Sequence, residues 1–469
     1  MKYIFITFSG LGLPIALKLK QQGCEVMVGV IQDIKDYVME GEIAKETDAN
    51  KKRRLQLFHN MLPIEDAFEV VKKMKQIENP EEWFVFFEEN NLYRWADMVR
   101  DLGFHGNFPT KDDFLFEVDR ERAKNFVKEH YSKLYTPEIM DFQKIEEGVK
   151  FLKDSKDIWV LKGQHDSART FVPTVEDPEL ANNQLIEVLT NFPENYERLG
   201  YILERFIPSI IELTPEKYYY DGVPLGTSIL FENKCFGSGN ISVQTGCSED
   251  LVFPTDMNDR INKIAFPPIV DEMAKEHKGW FIWDASILVS KKDGKMYFGE
   301  FCSNRPGYNC LFTELAQCGS VDNFFTNLVK KRNPFTLGTV ASSVRVFNMN
   351  HDDDDAVSSN ILVNYKPEVE KDVWLWDVQK NSRGNLVSVG SDWNLAIITG
   401  AGKSINEAVN KLYRNVDGFA FVGAYYRPKD DYVSMDYISS ILNRINYGVE
   451  RGLYRLPFDV KIGDINATL

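Results

Sequence analysis

The first thirty residues constrain the fold most, because strand-like and helix-like segments alternate there around a glycine turn. The apolar run YIFITF (3–8) is followed by SGLGLP, by the helical stretch IALKLKQQG and by a second apolar run, CEVMVGVI (24–31). This order of strand, turn, helix and strand is typical of a doubly wound parallel α/β domain. Gly10 and Gly12 allow close backbone approach at the start of the helix, where N–H groups can hold an anion.

The same turn also resembles a dinucleotide-binding fingerprint, since Gly10 and Gly12 are followed by Ala16. In that fingerprint the second strand ends in an acidic residue that binds a ribose. Here the strand at 24–31 has no acidic residue at its end, and Asp33 comes too late. A nicotinamide-dependent enzyme is therefore kept only as an alternative.

Composition narrows the class of protein. The 469 residues are 43% hydrophobic and 27% charged, as in a soluble chain of several globular domains. The net charge of −15 repels phosphate backbones, so no nucleic-acid partner is expected. No apolar run approaches the roughly 18 residues of a membrane helix, and the N-terminus is interpreted as a strand and not as a signal peptide. Six cysteines without a C-x-x-C pair favour a cytoplasmic location.

Changes in pattern along the chain predict three domains. Residues 1–117 form the N-terminal α/β domain, with a charge-rich helical insertion at about 34–82. Residues 118–336 form a central region, within which about 135–205 make a small α+β lid. The C-terminal α+β domain covers 337–469 and ends in a helical tail.

Lys128 and Lys162 are candidates for binding phosphate. Lys128 shares one face of a helix over 119–131 with Lys124, and the apolar strand WVLK ends at Lys162. A lysine at the end of a buried strand must direct its charge toward water or an anion. Taken alone, each lysine is more typical of an ordinary surface than of a phosphate site.

The strand ILERFI offers a nucleotide a different kind of contact. Its residues Glu204, Arg205, Phe206 and Ile207 can present main-chain groups to an adenine edge, and Glu212 can present a carboxylate to a ribose. A plain core strand with a salt-bridged Glu204 explains the same pattern.

A third segment has residues suited to a metal ion. WFIWDASILVS and MYFGEFCSN are joined by a turn containing Asp293-Gly294, which predicts a hairpin. Glu300 and Asn304 follow its second strand, and their oxygens suit Mg²⁺ that bridges phosphates. Arg305 is placed to neutralise a transferring phosphoryl group. A surface hairpin end is the alternative.

In this order, the three segments resemble the ATP-grasp superfamily, and in particular the phosphoribosylamine–glycine ligases (GAR synthetases). AKNFVKEHYSKLYTPEIMDF (123–142) is similar to the family segment with the first ATP lysine, and WVLKG to that with the second. ISVQTGCSEDLVFP (241–254) is similar to the loop "N-T-G-G-M-G-A-Y-S-P". GKSINEAVNKLYRNVDGFAFVGAYYR (402–427) is similar to the C-terminal domain and is the most family-specific segment.

The resemblance implies an ATP-grasp fold, ATP with Mg²⁺ (or Mn²⁺), small-molecule substrates and a place in purine biosynthesis. A carboxylate would attack the γ-phosphate to give an acylphosphate, and an amine would displace the phosphate. The residue roles that it implies are ATP binding by Lys128, Lys162, Glu204, Arg205, Phe206, Ile207 and Glu212, metal binding by Glu300 and Asn304, catalysis by Arg305 and Lys162, and substrate binding by Gly10, Gly12, Thr245 and Gly246.

Four departures from the family keep the acceptor side open. The glycine-rich lid is replaced by GQHDSARTFVP, in which Arg169 is a candidate substitute for backbone contacts. Cys302 holds the position of the family's metal-binding asparagine, and the family's "D-P-E" is missing. The N-terminal "G-G-R-E-H-A" is replaced by GLGLPIA. A ligase for another amino acid and amine, and a nucleotide-binding relative with impaired catalysis, are therefore both retained, and glycine with phosphoribosylamine is expected to be a poor pair.

Overall fold

The computed structural model describes residues 1–37, 46–163, 170–173, 175–197, 200–307, 309–336, 338–351, 358–433 and 440–457. The chain packs as two compact units. The first comprises Met1–Phe114, Leu213–Asp284 and Cys302–Leu469, and the second comprises Leu115–Glu212 and Ala285–Phe301. None of the helices in the described part of the chain is long and apolar enough to cross a membrane.

The first unit begins with a parallel sheet of the kind that the sequence predicted. Its elements are β1 (Lys2–Thr7), α1 (Leu13–Gln21), β2 (Val26–Val30), α2 (Asp48–Arg54), β3 (Ile64–Asp66), α3 (Ala67–Met74), β4 (Trp83–Phe87), α4 (Tyr93–Asp97) and β5 (His105–Gly106). The strand order is β3-β2-β1-β4-β5, and every neighbouring pair is parallel. Because the order changes direction between β1 and β4, a crevice at their carboxyl ends is the usual ligand position.

Continuous apolar runs explain why these strands are central. β1 and β4 are buried on both faces, as expected for a parallel sheet covered by helices. Their register places Ile6 opposite Phe87, so the residues after the two strands emerge side by side. This register brings distant residues together at the crevice.

The segment at 34–82 differs from the predicted helical insertion. It contains α2, but also β3, which extends the sheet beside β2, and α3, whose buried residues join the core. β3 has only three residues, all half-buried, which is too short for an alternating pattern to reveal a strand.

The rest of the first unit is built on an antiparallel sheet. Its elements are β9 (Ser209–Tyr220, which begins in the second unit), β10 (Val223–Gly237), β11 (Ile241–Thr255), α10 (Arg260–Ala265), α11 (Pro268–Glu276), β12 (Trp280–Asp284), α12 (Asn309–Ala316), α13 (Val321–Val329), β15 (Val340–Asn348), β16 (Val363–Tyr365), β17 (Val373–Leu375), β18 (Val378–Lys380), β19 (Leu386–Ser388), β20 (Asn394–Gly402), α14 (Ile405–Val416), β21 (Phe419–Phe421), β22 (Ala424–Tyr425), α15 (Asp430–Val433) and α16 (Ile441–Glu450). The strands of this sheet lie in the order β9-β10-β11-β15-β20-β17, with β12 paired to β9 and β22 paired to β15. The predicted C-terminal strand and helix are confirmed as β20 and α14. α14 packs closely over Gly400, where a side chain would meet its backbone.

The second unit is smaller and has its own apolar core. Its elements are α5 (Lys111–Val118, which begins in the first unit), α6 (Arg120–His130), β6 (Ile139–Phe142), α7 (Ile145–Asp154), β7 (Trp159–Gly163), α8 (Pro178–Asn191), α9 (Pro193–Glu197), β8 (Tyr201–Arg205), β13 (Ile287–Ser290) and β14 (Met296–Phe298). β6, β8 and β7 form an antiparallel sheet, and α7 and α8 cover it with Leu152, Leu185 and Leu189. The predicted hairpin is confirmed as β13 and β14, with Gly294 at φ 66° in its turn. The predicted three-domain boundaries stay a prediction.

Candidate active site

A cavity in the second unit brings together three predicted side chains, Lys162, Glu204 and Glu300, with one that was not predicted to bind a ligand, Lys124. The residues that line the cavity are Phe116, Glu117, Arg120, Ala123, Lys124, Lys162, Glu204, Phe298, Gly299, Glu300 and Phe301. Its ionisable groups are three acids and three bases. Three acids and three bases therefore share one small cavity.

The centre of this cavity is an ion cluster in which Glu204 binds two lysines. The Lys162 Nζ lies 2.8 Å from one Glu204 carboxylate oxygen, and the Lys124 Nζ donates to the other. The side chain of Lys124 is 2% exposed, that of Glu204 is 7% exposed and that of Lys162 is 15% exposed. Buried ions at this depth need partners, because an isolated charge away from water is strongly disfavoured.

Burial sets the protonation equilibrium of the cluster. Loss of hydration lowers the pKa of Lys124 to about 8, although the Glu204 carboxylate opposes this shift. Burial alone would raise the pKa of Glu204, but Lys162 and Lys124 outweigh it and hold that pKa below its ordinary value. Lys124 and Glu204 are therefore both charged near neutral pH. The two ammonium groups are fixed in one place and can exchange their carboxylate for another anion.

The phase of α6 explains why Lys124 and not Lys128 faces Glu204. Ala123 and Val127 are buried and define the inward side of the helix. At about 100° per residue, Lys124 lies about 80° from the midpoint of these two positions, whereas Lys128 lies about 120° away. Lys128 is exposed, one turn beyond Lys124. The ATP-binding role of Lys128 stays a prediction, and Lys124 is the lysine that the cavity contains.

The predicted adenine-binding segment runs along β8 and beyond it. The main-chain N–H of Arg205 donates to the Glu138 oxygen, and that of Phe206 donates to the Ile158 oxygen. The exposed Arg205 side chain pairs with Asp157 at 2.6 Å. Phe206 and Ile207 are half-buried but do not line the cavity. The contact of Phe206 and Ile207 with an adenine base stays a prediction.

Glu212 and Glu300 lie at opposite ends of a short hydrogen-bonded path through Ser286. The Ser286 hydroxyl donates to the Glu212 carboxylate at 2.9 Å, and its main-chain N–H donates to the Glu300 main-chain oxygen at 2.9 Å. Gly299 donates to the Ser286 oxygen at 2.8 Å, and a side chain at Gly299 would collide with Ser286. These contacts extend the hairpin and place Glu300 on the cavity wall.

Asn304 is in the first unit, where it is fully buried. Its amide group donates to Asp113 at 3.2 Å, whereas its side-chain oxygen has no hydrogen-bond partner. Its φ of 54° lies in the left-handed region that asparagine tolerates better than most residues. An unpartnered buried amide oxygen is a suitable hard ligand for Mg²⁺. In the described part of the chain, no group of three or more His, Cys, Asp or Glu residues is arranged to hold a metal ion.

Arg305 lies beside the carboxyl ends of β1 and β4. Its guanidinium binds the buried Glu89 carboxylate at 2.8 Å, and the Tyr37 hydroxyl donates to the same carboxylate at 2.6 Å. Two acidic residues that the sequence did not single out, Glu88 and Glu89, therefore line this crevice. They directly follow the apolar strand WFVFF, which is a signal that sequence reasoning could have used.

The remaining predicted residues lie elsewhere. Gly10 and Gly12 form the turn before α1, and the Gly12 N–H donates to Glu88 at 2.8 Å. Thr245 is half-buried on β11, where its hydroxyl donates to the Lys234 oxygen at 3.1 Å, and Gly246 is exposed at φ 82°. The predicted lid contact of Arg169 lies outside the described residues.

Comparison with solved structures identifies the fold. The phosphoribosylamine–glycine ligase of Thermotoga maritima aligns with 91% of this chain and 99% of its own, with a TM-score of 0.60 and 16% identity. The L-amino acid ligase of Bacillus licheniformis covers 90% and 98%, with a TM-score of 0.50 and 15% identity. The biotin carboxylase domain of the Hydrogenobacter thermophilus 2-oxoglutarate carboxylase, solved with MgADP and bicarbonate, covers 90% and 91%, with a TM-score of 0.53 and 12% identity.

These neighbours are ATP-grasp enzymes, so the chain has the ATP-grasp fold, and the fold class implied by the sequence resemblance is confirmed. The sequence matches no family model. It also matches no curated protein sequence. The identities of 12–16% establish the fold and leave the reaction to be argued from the site.

Proposed function

We propose that this protein is an ATP-dependent carboxylate–amine ligase that works through an acylphosphate. The proposal rests on the buried lysines Lys124 and Lys162. Both bind Glu204, and all three line one cavity with Glu300 in an ATP-grasp fold. Neighbouring folds belong to two ligases and to a carboxylase solved with MgADP. No protein nucleophile is needed for this chemistry, since positioning and charge neutralisation suffice.

Each group has a defined task in the proposed reaction. Lys124 and Lys162 bind phosphate oxygens of ATP in exchange for their contacts with Glu204. The free volume of about 20 Å³ is smaller than a nucleotide, so this exchange requires the cavity to widen. Glu300 and Asn304 are the proposed ligands of Mg²⁺, which when bound neutralises phosphate charge. Arg305 is the proposed partner of the phosphoryl group in transit.

The proposal also concerns the identity of the carboxylate and amine substrates. Glycine with phosphoribosylamine, as in purine biosynthesis, is the pair that the sequence resemblance implies. A different amino acid and amine fit the departures at GLGLPIA and at the missing "D-P-E" better. The cytoplasmic location stays a prediction.

The test is an ATP- and Mg²⁺-dependent assay that follows ADP release and traps acylphosphate with hydroxylamine. Each of the twenty common amino acids is supplied as the carboxylate, and glycine with phosphoribosylamine is one arm. We expect at least one amino acid to give a hydroxamate. Charge-assisted hydrogen bonds contribute about 1.5–3 kcal/mol, so Lys162→Ala should lower kcat/KM about 10- to 100-fold.

The two lysines of α6 provide a matched comparison. Lys124→Met should weaken ATP binding, whereas Lys128→Met should leave it nearly unchanged, because only Lys124 lines the cavity. The opposite result would return the phosphate contact to Lys128. A protein that binds ATP but releases no ADP with any carboxylate would instead be the catalytically impaired relative.

A further inference from the structure

The glycine turn before α1 is an anion site that is already occupied by a side chain of this chain. The Glu88 carboxylate accepts hydrogen bonds from the main-chain N–H groups of Phe8 and Ser9, each at 2.9 Å, and from that of Gly12 at 2.8 Å. It also accepts from the hydroxyls of Thr7, at 2.5 Å, and Ser9, at 2.9 Å. This is the arrangement of donors that would otherwise bind a phosphate.

Two further N–H groups of the turn have partners within the turn. The Gly10 N–H donates to the Thr7 hydroxyl at 2.9 Å, and the Leu13 N–H donates to the Gly10 oxygen at 3.1 Å. Glu88 itself is fully buried. A phosphate could enter only by displacing a carboxylate that has five hydrogen bonds, and the neighbouring Glu89 would repel it.

This turn faces the crevice where the sheet order reverses, and the segment after Glu300 crosses it. The Asn90 amide donates to the Ser303 oxygen at 2.9 Å, and the Gly307 N–H donates to the Glu88 main-chain oxygen at 2.7 Å. Arg305 reaches the same crevice through Glu89. Arg305, the proposed partner of the phosphoryl group, therefore lies at this crevice.

The buried polar atoms without a hydrogen-bond partner at this crevice include the Ser303 hydroxyl and the Asn91 side-chain oxygen. Ser303 is fully buried, and Asn91 lies beside Tyr37. Buried polar groups are rarely left unpaired, so each calls for a ligand atom. A hydroxyl and an amide oxygen can both accept from an amine, and neither supplies positive charge for a phosphate. The guanidinium of Arg305 at this crevice is already ion-paired with the buried Glu89.

We propose that Glu88 permanently fills the anion site at Gly10–Gly12 and that the amine acceptor bound in this crevice carries no phosphate group. The first part stands on the hydrogen bonds alone, and the second rests on the proposed ligase function. The inference changes the predicted role of Gly10 and Gly12 from binding a substrate phosphate to holding Glu88.

Anion rescue tests the occupied site directly. Glu88→Ala removes the carboxylate and leaves its donors unpaired, so its Tm should fall. Formate or inorganic phosphate should restore much of the lost Tm, compared with chloride at equal ionic strength. The same anions should leave the Tm of the wild type and of the exposed-residue control Glu81→Ala unchanged. Equal effects of the anions on Glu88→Ala and the wild type would overturn the inference.

Substrate pairs test the acceptor class in the wild-type protein, so this arm does not depend on whether Glu88→Ala folds. Ethanolamine, serine and glucosamine are each compared with their phosphate esters for amine-stimulated ADP release. In any active pair we expect the unphosphorylated amine to be preferred by about tenfold or more. A site that lacks one charged hydrogen-bond donor for the phosphate loses about this much affinity for the phosphate ester. Preference for a phosphate ester would overturn the acceptor assignment. Failure of hydroxamate formation with every amino acid would contradict both the ligase proposal and the acceptor assignment. Anion rescue would still test the role of Glu88 independently.

Discussion

Replacing Lys124 by methionine should remove a specific part of the pH dependence of stability. Burial lowers the pKa of Lys124 from 10.5 to about 8 in the folded protein. Between these values the unfolded chain binds more protons than the folded chain, so the free energy of unfolding of the wild type rises with pH. Lys124→Met has no ammonium group at this position and lacks that rise.

The magnitude follows from the size of the shift. A change of one pKa unit corresponds to about 1.36 kcal/mol, so the fall from 10.5 to about 8 gives at most about 3.4 kcal/mol across pH 8 to 10.5. Lys18, whose pKa burial also lowers to about 8, is present in both proteins and cancels in the difference. Below about pH 8 the difference between the two proteins should be constant.

The assay is urea unfolding at pH 7, 8, 9 and 10 at constant ionic strength, with two spectroscopic probes to check for intermediates. Lys128→Met is the matched control, because it makes the same change at an exposed position one turn away, where substitutions usually change stability by less than about 0.5 kcal/mol. Identical pH profiles for Lys124→Met and the wild type would show that Lys124 is not a buried ammonium.

Two further substitutions test separate parts of the structure. Glu300→Gln should lower turnover by more than about 100-fold with unchanged circular dichroism, because one anionic oxygen ligand of Mg²⁺ is lost; turnover at the wild-type rate would remove Glu300 from the metal site. Glu216→Gln should gain stability relative to the wild type as pH rises above about 4.5. Burial beside Glu314 raises the pKa of Glu216 well above its ordinary value. Above about pH 4.5 the folded wild type must therefore keep a proton that the unfolded chain loses. Urea unfolding at pH 5, 7 and 9 checks this, and a difference that does not change with pH would contradict it.

The order of the elements could be predicted from local sequence. Strand, turn, helix and strand at the N-terminus are β1, α1 and β2 of the structure, and the Asp293-Gly294 turn joins β13 to β14. Continuous apolar runs and turn dipeptides are sufficient for this, because they act over a few residues. β3 escaped prediction since three half-buried residues carry no period.

The choice between Lys124 and Lys128 required more than their spacing. Both lie on α6 and differ by one turn, so the sequence places them on one face. The buried neighbours Ala123 and Val127 fix the rotation of the helix, and only the packed structure shows which side meets Glu204. Applying helical phase to the apolar positions would have favoured Lys124.

Local sequence alone predicts the glycine turn that opens α1, and it shows two acids after the apolar strand WFVFF. The contact between the turn and these acids depends on the tertiary structure, because Glu88 and Gly12 are 76 residues apart in the chain. The parallel register of β1 and β4, with Ile6 opposite Phe87, brings their next residues together at one edge of the sheet. A turn whose pattern indicates an anion site is thereby filled from within, since hydrogen bonds across a sheet depend on strand order and register, which local sequence does not encode.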